Sequence, residues 1–317
     1  MIYNELGQTG LIVSKLCFGG LTVGPLQADL TPTEGGKVIR EAFDRGINFI
    51  DTAELYGTYP HIREALNGFD RSKIIISSKS YAYSVETAEK ALREAFSELK
   101  TDYIDLFMMH EQESEHTLRG HYEALEYYEK MKEKGYIKAI GLSTHHIAAV
   151  RAAKKYAQLQ VVHPIVNKLG IGIQDGSIHE MIEALDEFRA DGRGVFAMKP
   201  LGGGHLIKSY DEAFDFVNQL KVVDSFAIGM QSVDEVIANV SKFETGDIPE
   251  PLKSQLSTKT RKLIVADWCE GCQKCVDRCG AGALHVPEEG QAVVDPEKCI
   301  LCGYCSKSCP YFCIKVI

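Results

Sequence analysis

Along the first 245 residues, apolar runs of strand length alternate with segments whose apolar residues recur every three or four positions. The runs are KLCFGG (15–20), NFID (48–51), KIIISSK (73–79), IDLFMMH (104–110), AIGLS (139–143), VVHPIV (161–166), GVFAMK (194–199) and SFAIGM (225–230). Amphipathic stretches such as VETAEKALREAFSELK (85–100) and YDEAFDFVNQLK (210–221) lie between them. Strands without clean polar alternation are buried on both faces, and a helix after each one covers a parallel sheet. Eight such units predict an α/β architecture, a closed (β/α)8 TIM barrel over residues 1–245. An open doubly wound sheet fits less well, because no GxGxxG follows the first strand. The periodicity fades over FETGDIPEPLKSQLSTKTRK (243–262). Residues 246–262 therefore read as a linker with a short helix near PLKSQLS, and 263–317 as a small α+β domain.

At 317 residues the chain exceeds the usual single-domain length, in keeping with a large core plus a smaller one. The net charge of -9 argues against a nucleic-acid partner, which would need clustered cations to displace counterions. No apolar run is long enough to span a membrane, and MIYNELGQTG does not read as a secretory leader, so no membrane partner and a cytoplasmic location are expected. Of ten cysteines, nine fall between Cys269 and Cys313. Such clustering in an unexported protein favours metal over disulfides. Cys17 stands alone and reads as a small core residue.

In a barrel, chemistry gathers where strands end at the carboxyl face. Three consecutive strands end in Asp51, Lys79 and His110, and Tyr56 follows in the loop DTAELYG. Taken singly, these are a helix cap, a solvated loop charge and a satisfied histidine; taken together they converge on one mouth. A lysine beside a tyrosine favours the phenolate and lowers the phenol's pKa, while a carboxylate holds that lysine charged. The arrangement suits Tyr56 as proton donor to a carbonyl oxygen that also accepts a hydrogen bond from His110. Tyr81 and Tyr83 are candidates to line the pocket.

The ordered segments LGQTGLIVSKLCFGG, DTAELYG, SSK, DLFMMH, GLSTH, PLGGG and IGMQSVDEVIANV resemble the aldo/keto reductase family over about residues 5–245. That resemblance implies a barrel oxidoreductase with Asp51, Tyr56, Lys79 and His110 as its catalytic tetrad, and an NAD(P)(H) cofactor extended across the mouth. Around the nicotinamide it points to Ser143 and Thr144, where the family commonly has Ser-Asn, to His163, where it has glutamine, and to Asn167. Met198 or Lys199 stands where an aromatic residue often stacks. Gly229, Ser232 and Asn239 resemble residues around the adenosine phosphate, and Gln231 occupies the place of a base that often meets a 2'-phosphate.

CEGCQKCVDRCG (269–280) and CILCGYCSKSCP (299–310) are both C-x2-C-x2-C-x3-C, the spacing of bacterial two-cluster ferredoxins. By that resemblance Cys269, Cys272, Cys275 and Cys309 hold one [4Fe-4S] cluster, and Cys299, Cys302, Cys305 and Cys279 hold the second. Two structural zinc sites are the alternative, but three close cysteines plus a remote fourth, duplicated, is uncommon for zinc. The first run ends Cys279-Gly280 where the second has Cys309-Pro310. Cys313 superposes on Ala283 and, like Trp268, reads as packing. The expected function is an oxidoreductase interconverting a small carbonyl and an alcohol, with two clusters relaying electrons to or from a redox partner protein. A hydride carries two electrons and a cubane takes one, so a flavin is a further candidate for dividing the pair. The alternatives are an NAD(P)H-dependent carbonyl reductase with structural clusters, and an electron-transfer protein with a vestigial barrel. A linker of roughly twenty extended residues reaches more than 30 Å, enough to return to the catalytic mouth.

Overall fold

A computed structural model describes residues 1–288 and 290–317. The chain opens with an antiparallel hairpin, β1 (Tyr3–Glu5) against β2 (Ile12–Ser14). Eight parallel strands follow: β3 (Leu16–Gly19), β4 (Phe49–Asp51), β5 (Ile75–Ser80), β6 (Ile104–Met109), β7 (Ile137–Thr144), β8 (Val161–Pro164), β9 (Gly194–Met198) and β10 (Ser225–Gly229). They close into a barrel when β10 pairs with β3. All eight predicted strands are present.

Alternate strand residues face opposite sides, and here both sides are apolar. Cys17, Phe49, Leu106 and Phe196 fill the interior together with Leu6 and Val13 from the hairpin. Their neighbours Phe18, Ile50, Phe107 and Val195 face the helical shell. The helix Val85–Leu99 shows how that shell is built: Ala88, Ala91, Leu92, Ala95 and Leu99 are buried on one stripe. Its amino end is fixed by a capping box between Ser84 and Thr87.

Beyond the last barrel helix (Val233–Thr245), the predicted connector helix spans Glu250–Ser257. Gln255 donates to Asp234 at 2.8 Å, and Lys259 pairs with Glu235 at 2.6 Å. Both acids lie in the first turn of Val233–Thr245, which starts at the carboxyl ends of the strands, so the chain returns to the mouth.

The remaining segment repeats itself. The helices Lys274–Arg278 and Tyr304–Ser308 are thirty residues apart, as are the strands β12 (Leu284–His285) and β14 (Ile314–Val316). β14 pairs with β11 (Leu263–Val265), and β12 with β13 (Val293–Val294). This part sits on the barrel rim: Phe312 is buried with Ile171, Leu206 and Ala213, and a His205 ring nitrogen lies 3.0 Å from the Ile314 carbonyl oxygen. Among the described residues, no helix is long and apolar enough to cross a membrane.

Candidate active site

The strand ends and the loop after β4 bring an ion pair and a phenol into one buried chain of contacts. Lys79 Nζ lies 2.8 Å from Asp51 Oδ2, 2.7 Å from the Thr52 carbonyl oxygen and 3.4 Å from the Tyr56 hydroxyl. Ser77 donates to the other Asp51 oxygen. Lys79 and Asp51 are 1% and 4% exposed, so each ion depends on the other for solvation. Burial resists ionisation of Asp51, yet Lys79 and His163 hold its pKa at about 2. Burial lowers that of Lys79 against the pull of Asp51. His110 follows β6 directly; its ring packs edge-on to Tyr56 and stacks on Tyr81 with centroids 4.4 Å apart. Burial and the charge of Lys79 pull His110 down to about 3, so it is a neutral imidazole, and its Nδ1 is buried without a partner among the described residues.

One expectation is reversed. Burial, then Asp51, Glu111 and Tyr81, raise the Tyr56 phenol well above its ordinary value, so the net direction is opposite to the one expected from Lys79 alone. Burial outweighs the attraction of an ammonium 3.4 Å away whose charge is shared with Asp51. Tyr56 is therefore held protonated.

A cleft of about 190 Å³ opens beside Tyr56 and Asp51, walled by His163, Met198, Lys199, Gly203 and Gly229. His163 presents its face to Phe196 at 3.8 Å, directs Nδ1 to the Phe196 carbonyl oxygen, and places Nε2 3.6 Å from Asp51. Ser143, Thr144 and Asn167 are fully buried and do not form part of the cleft wall. Ser143 Oγ accepts from the Glu111 amide, Thr144 closes a turn with His146, and Asn167 pins the loop to Ile171. A wider cavity continues past Gly229 to Asn239, Lys253, Lys259 and Arg261. Ser232 caps the helix Val233–Thr245, and Asn239 accepts from the Tyr210 hydroxyl. Gln231 is joined by Lys259, whose Nζ donates to it at 3.1 Å, so a base does stand there, supplied by the connector. Lys259 and Arg261 were not singled out in the sequence, where they read as linker charges.

The cysteine-rich part has two small cavities. Cys269, Cys272, Cys275 and Cys309 line one, with Cys313 in its wall. Cys279, Cys299, Cys302 and Cys305 line the other. Backbone amides of Ala292, Cys313 and Ala283 point at the sulfurs of Cys269, Cys309 and Cys279. Four thiols around each cavity, with amides donating to sulfur, suit iron–sulfur binding. Phe312, Lys315, Val316 and Ile317 of this part also line the cleft of Tyr56.

Comparison with known proteins agrees with this geometry. The aldo/keto reductase family model matches residues 15–255, and a 4Fe-4S binding domain matches residues 292–315. The chain belongs to the aldo/keto reductase family. Among its relatives, the 6-dehydroglucose reductase of Novosphingobium aromaticivorans is 27% identical over 248 residues, covering 70% of this chain and 78% of that one. The L-galactose dehydrogenase of Arabidopsis thaliana is 26% identical over 214 residues, 64% of this chain and 66% of its own. The holo form of the aldo-keto reductase AKR11C1 of Bacillus halodurans superposes with a TM-score of 0.63 at 23% identity, over 81% of this chain and 95% of that one, a likeness of fold.

As an aldo/keto reductase this protein is an oxidoreductase, and it carries a 4Fe-4S binding motif in the same chain. Unlike a bare barrel, its mouth is roofed. Gly203 and Gly204 have φ of 67° and 91°. A methyl on Gly203 would meet the Phe312 ring at 2.8 Å, and one on Gly204 would overlap the Val316 carbonyl. Glycine at these positions lets the roof approach.

Proposed function

We propose that this aldo/keto reductase interconverts a small carbonyl compound and the corresponding alcohol, with Tyr56 transferring the proton, and that its eight paired cysteines hold two [4Fe-4S] clusters linking the site to a redox partner. The observation that carries the reading is the contact chain Asp51–Lys79–Tyr56 beside neutral His110. A nicotinamide in the cleft would supply the hydride that forms the new C–H bond at the carbonyl carbon. Tyr56 gives its O–H proton to the carbonyl oxygen, and the phenolate left behind faces the Lys79 ammonium 3.4 Å away. His110, neutral, donates an N–H to the same oxygen and fixes its place. Alcohol oxidation runs the same proton back to Tyr56. The phosphate end of a dinucleotide is served by Lys259, Arg261 and the Gly203–Gly204 turn. At the other end His163 is the group in the wall, and Ser143, Thr144 and Asn167 are engaged in the fold.

The roofed mouth also favours a second role for the cysteine-rich part, as a cover that keeps water from the site. Anaerobic purification followed by identification of the organic cofactor, nicotinamide or flavin, is the first test. Replacing Tyr56 by Phe should then cut carbonyl turnover by about 10²–10⁴-fold, with the visible cluster absorbance intact; undiminished turnover would remove Tyr56 from the chemistry. Substrate-dependent bleaching of that absorbance is expected of a relay. Turnover without bleaching leaves the cover alone.

A further inference from the structure

The cleft of Tyr56 is lined by more basic than acidic side chains, in a chain of net charge -9. Its two acidic side chains are already paired, Asp51 with Lys79 and Glu235 with Lys259. Lys199, Arg261 and Lys315 line the same cleft, and among the described residues none has a carboxylate within ion-pair distance.

Two of these cations are held in place. Lys199 leaves β9 with φ at 58°, a left-handed conformation that is unfavourable for a lysine, and its Nζ sits 2.7 Å from His145 Nε2 and 4.3 Å from the Phe312 ring centroid. Glu111, also left-handed at φ 46°, faces the same His145 at 3.5 Å, but its other oxygen accepts from the Tyr81 hydroxyl. Lys315 comes from the cysteine-rich part. It is 8% exposed, and its ammonium meets the Trp268 ring at 4.3 Å without a hydrogen-bond acceptor among the described residues. A largely desolvated lysine that faces an open cleft gains from an anionic acceptor placed there. Burial lowers both groups, Lys199 to about 7 and Lys315 to about 8, against the pull of Glu111 on each; Lys315 adds to the lowering of Lys199, and an arriving anion would reverse the shifts.

We infer that Lys199 and Lys315 form an oxyanion-recognition pair that selects carbonyl substrates bearing a carboxylate or phosphate. This rests on the carbonyl chemistry proposed above and adds the substrate's class. One lysine comes from each part of the chain, so the substrate pocket is complete only when the cysteine-rich part is docked. A dinucleotide phosphate is the other source of the same chemistry, and the experiment separates the two.

The full-length, cluster-loaded protein is assayed with 4-oxobutanoate against butanal, and with glyceraldehyde 3-phosphate against glyceraldehyde. Succinate, which cannot be reduced, is titrated by calorimetry. The wild type should prefer each anionic partner, and the preference should shrink as salt rises. Lys199→Met and Lys315→Met should each lower the anionic-to-neutral ratio of kcat/KM about tenfold or more and weaken succinate binding similarly. Lys315→Arg should retain most of both. If a methionine variant fails to fold, Lys199→Gln or Lys315→Gln and the wild-type salt series carry the test. An absent preference, or a ratio unchanged in the variants, overturns the pair. Weakened binding of NADPH or NADH with an unchanged ratio overturns it too, by giving the lysines to the cofactor. Tyr56→Phe separates the two readings: it should cut turnover of every aldehyde by about 10²–10⁴-fold while leaving succinate affinity unchanged. An active Tyr56→Phe would refute the catalytic role while the succinate titration still decides the pair.

Discussion

Lys79 and Asp51 share one buried site, and neither ion is comfortable without the other. Lys79→Met would leave Asp51 charged and uncompensated, which typically costs about 3–5 kcal/mol. Adding Asp51→Asn should recover part of that loss, because the stranded charge is then gone; denaturant midpoints of the wild type and the two variants measure it. The sign of the pH effect follows from the direction of the shift. Asp51 has a folded pKa of about 2, below its ordinary 3.8, so its contribution is complete above the ordinary value and is lost as pH falls through the folded one. Wild type should lose stability between about pH 4 and pH 2, and Asp51→Asn should show a flatter acid limb. Asp51, Lys79 and His110 could be singled out in the sequence because an ionisable residue closing an apolar strand emerges at the rim, and Tyr56 because it follows Asp51 in the loop DTAELYG. The state of Tyr56 was not legible. It depends first on how deeply the phenol is buried and then on its distance from Asp51, neither of which the sequence states. Nor could the left-handed backbones of Glu111 and Lys199 be read, since neither residue type signals positive φ.

At the scale of elements, the barrel strands declared themselves because both of their faces are buried, which turns each one into a continuous apolar run. The hairpin β1–β2 went unread for the opposite reason: its strands have three residues each, and β1 is exposed or half-exposed throughout. The connector was seen as a break in periodicity, with its short helix, but not as a wall of the cleft, because Lys259 acquires its meaning only from Gln231 and Glu235 across the fold. The PLGGG turn belongs to this scale as well. Gly204→Ala should lift β14 from the rim, since its methyl would overlap the Val316 carbonyl at a φ of 91°. Gly10→Ala is the control: its φ is 75° but nothing lies within 4 Å, so only the backbone penalty of about 1 kcal/mol applies. Limited proteolysis should cut the 246–262 connector faster in Gly204→Ala and leave its rate in Gly10→Ala near wild type.

For the whole molecule, the question is how two parts of unequal size depend on each other. The barrel has a continuous shell of buried side chains from Leu16 to Val240. The cysteine-rich part has a core of Leu263, Cys275, Leu284, Ala292, Cys305, Ile314 and Val316, in which two members are candidate cluster ligands. A core that small does not usually hold a domain without metal, and metal binding then supplies folding free energy directly. Where this part docks was beyond the sequence, which bounded only the reach of the linker; the docking is written in single contacts, Phe312 in its apolar seat and His205 on Ile314. Stripping iron anaerobically should therefore unfold residues 263–317 while the barrel keeps its own thermal transition. Amide hydrogen exchange at Phe312–Val316 should rise together with exchange around Gly203 and Gly204, because the roof and the turn beneath it protect each other. If the roof amides exchange faster while the turn stays protected, the two parts are not energetically coupled, and the site below is closed by the barrel's own loops.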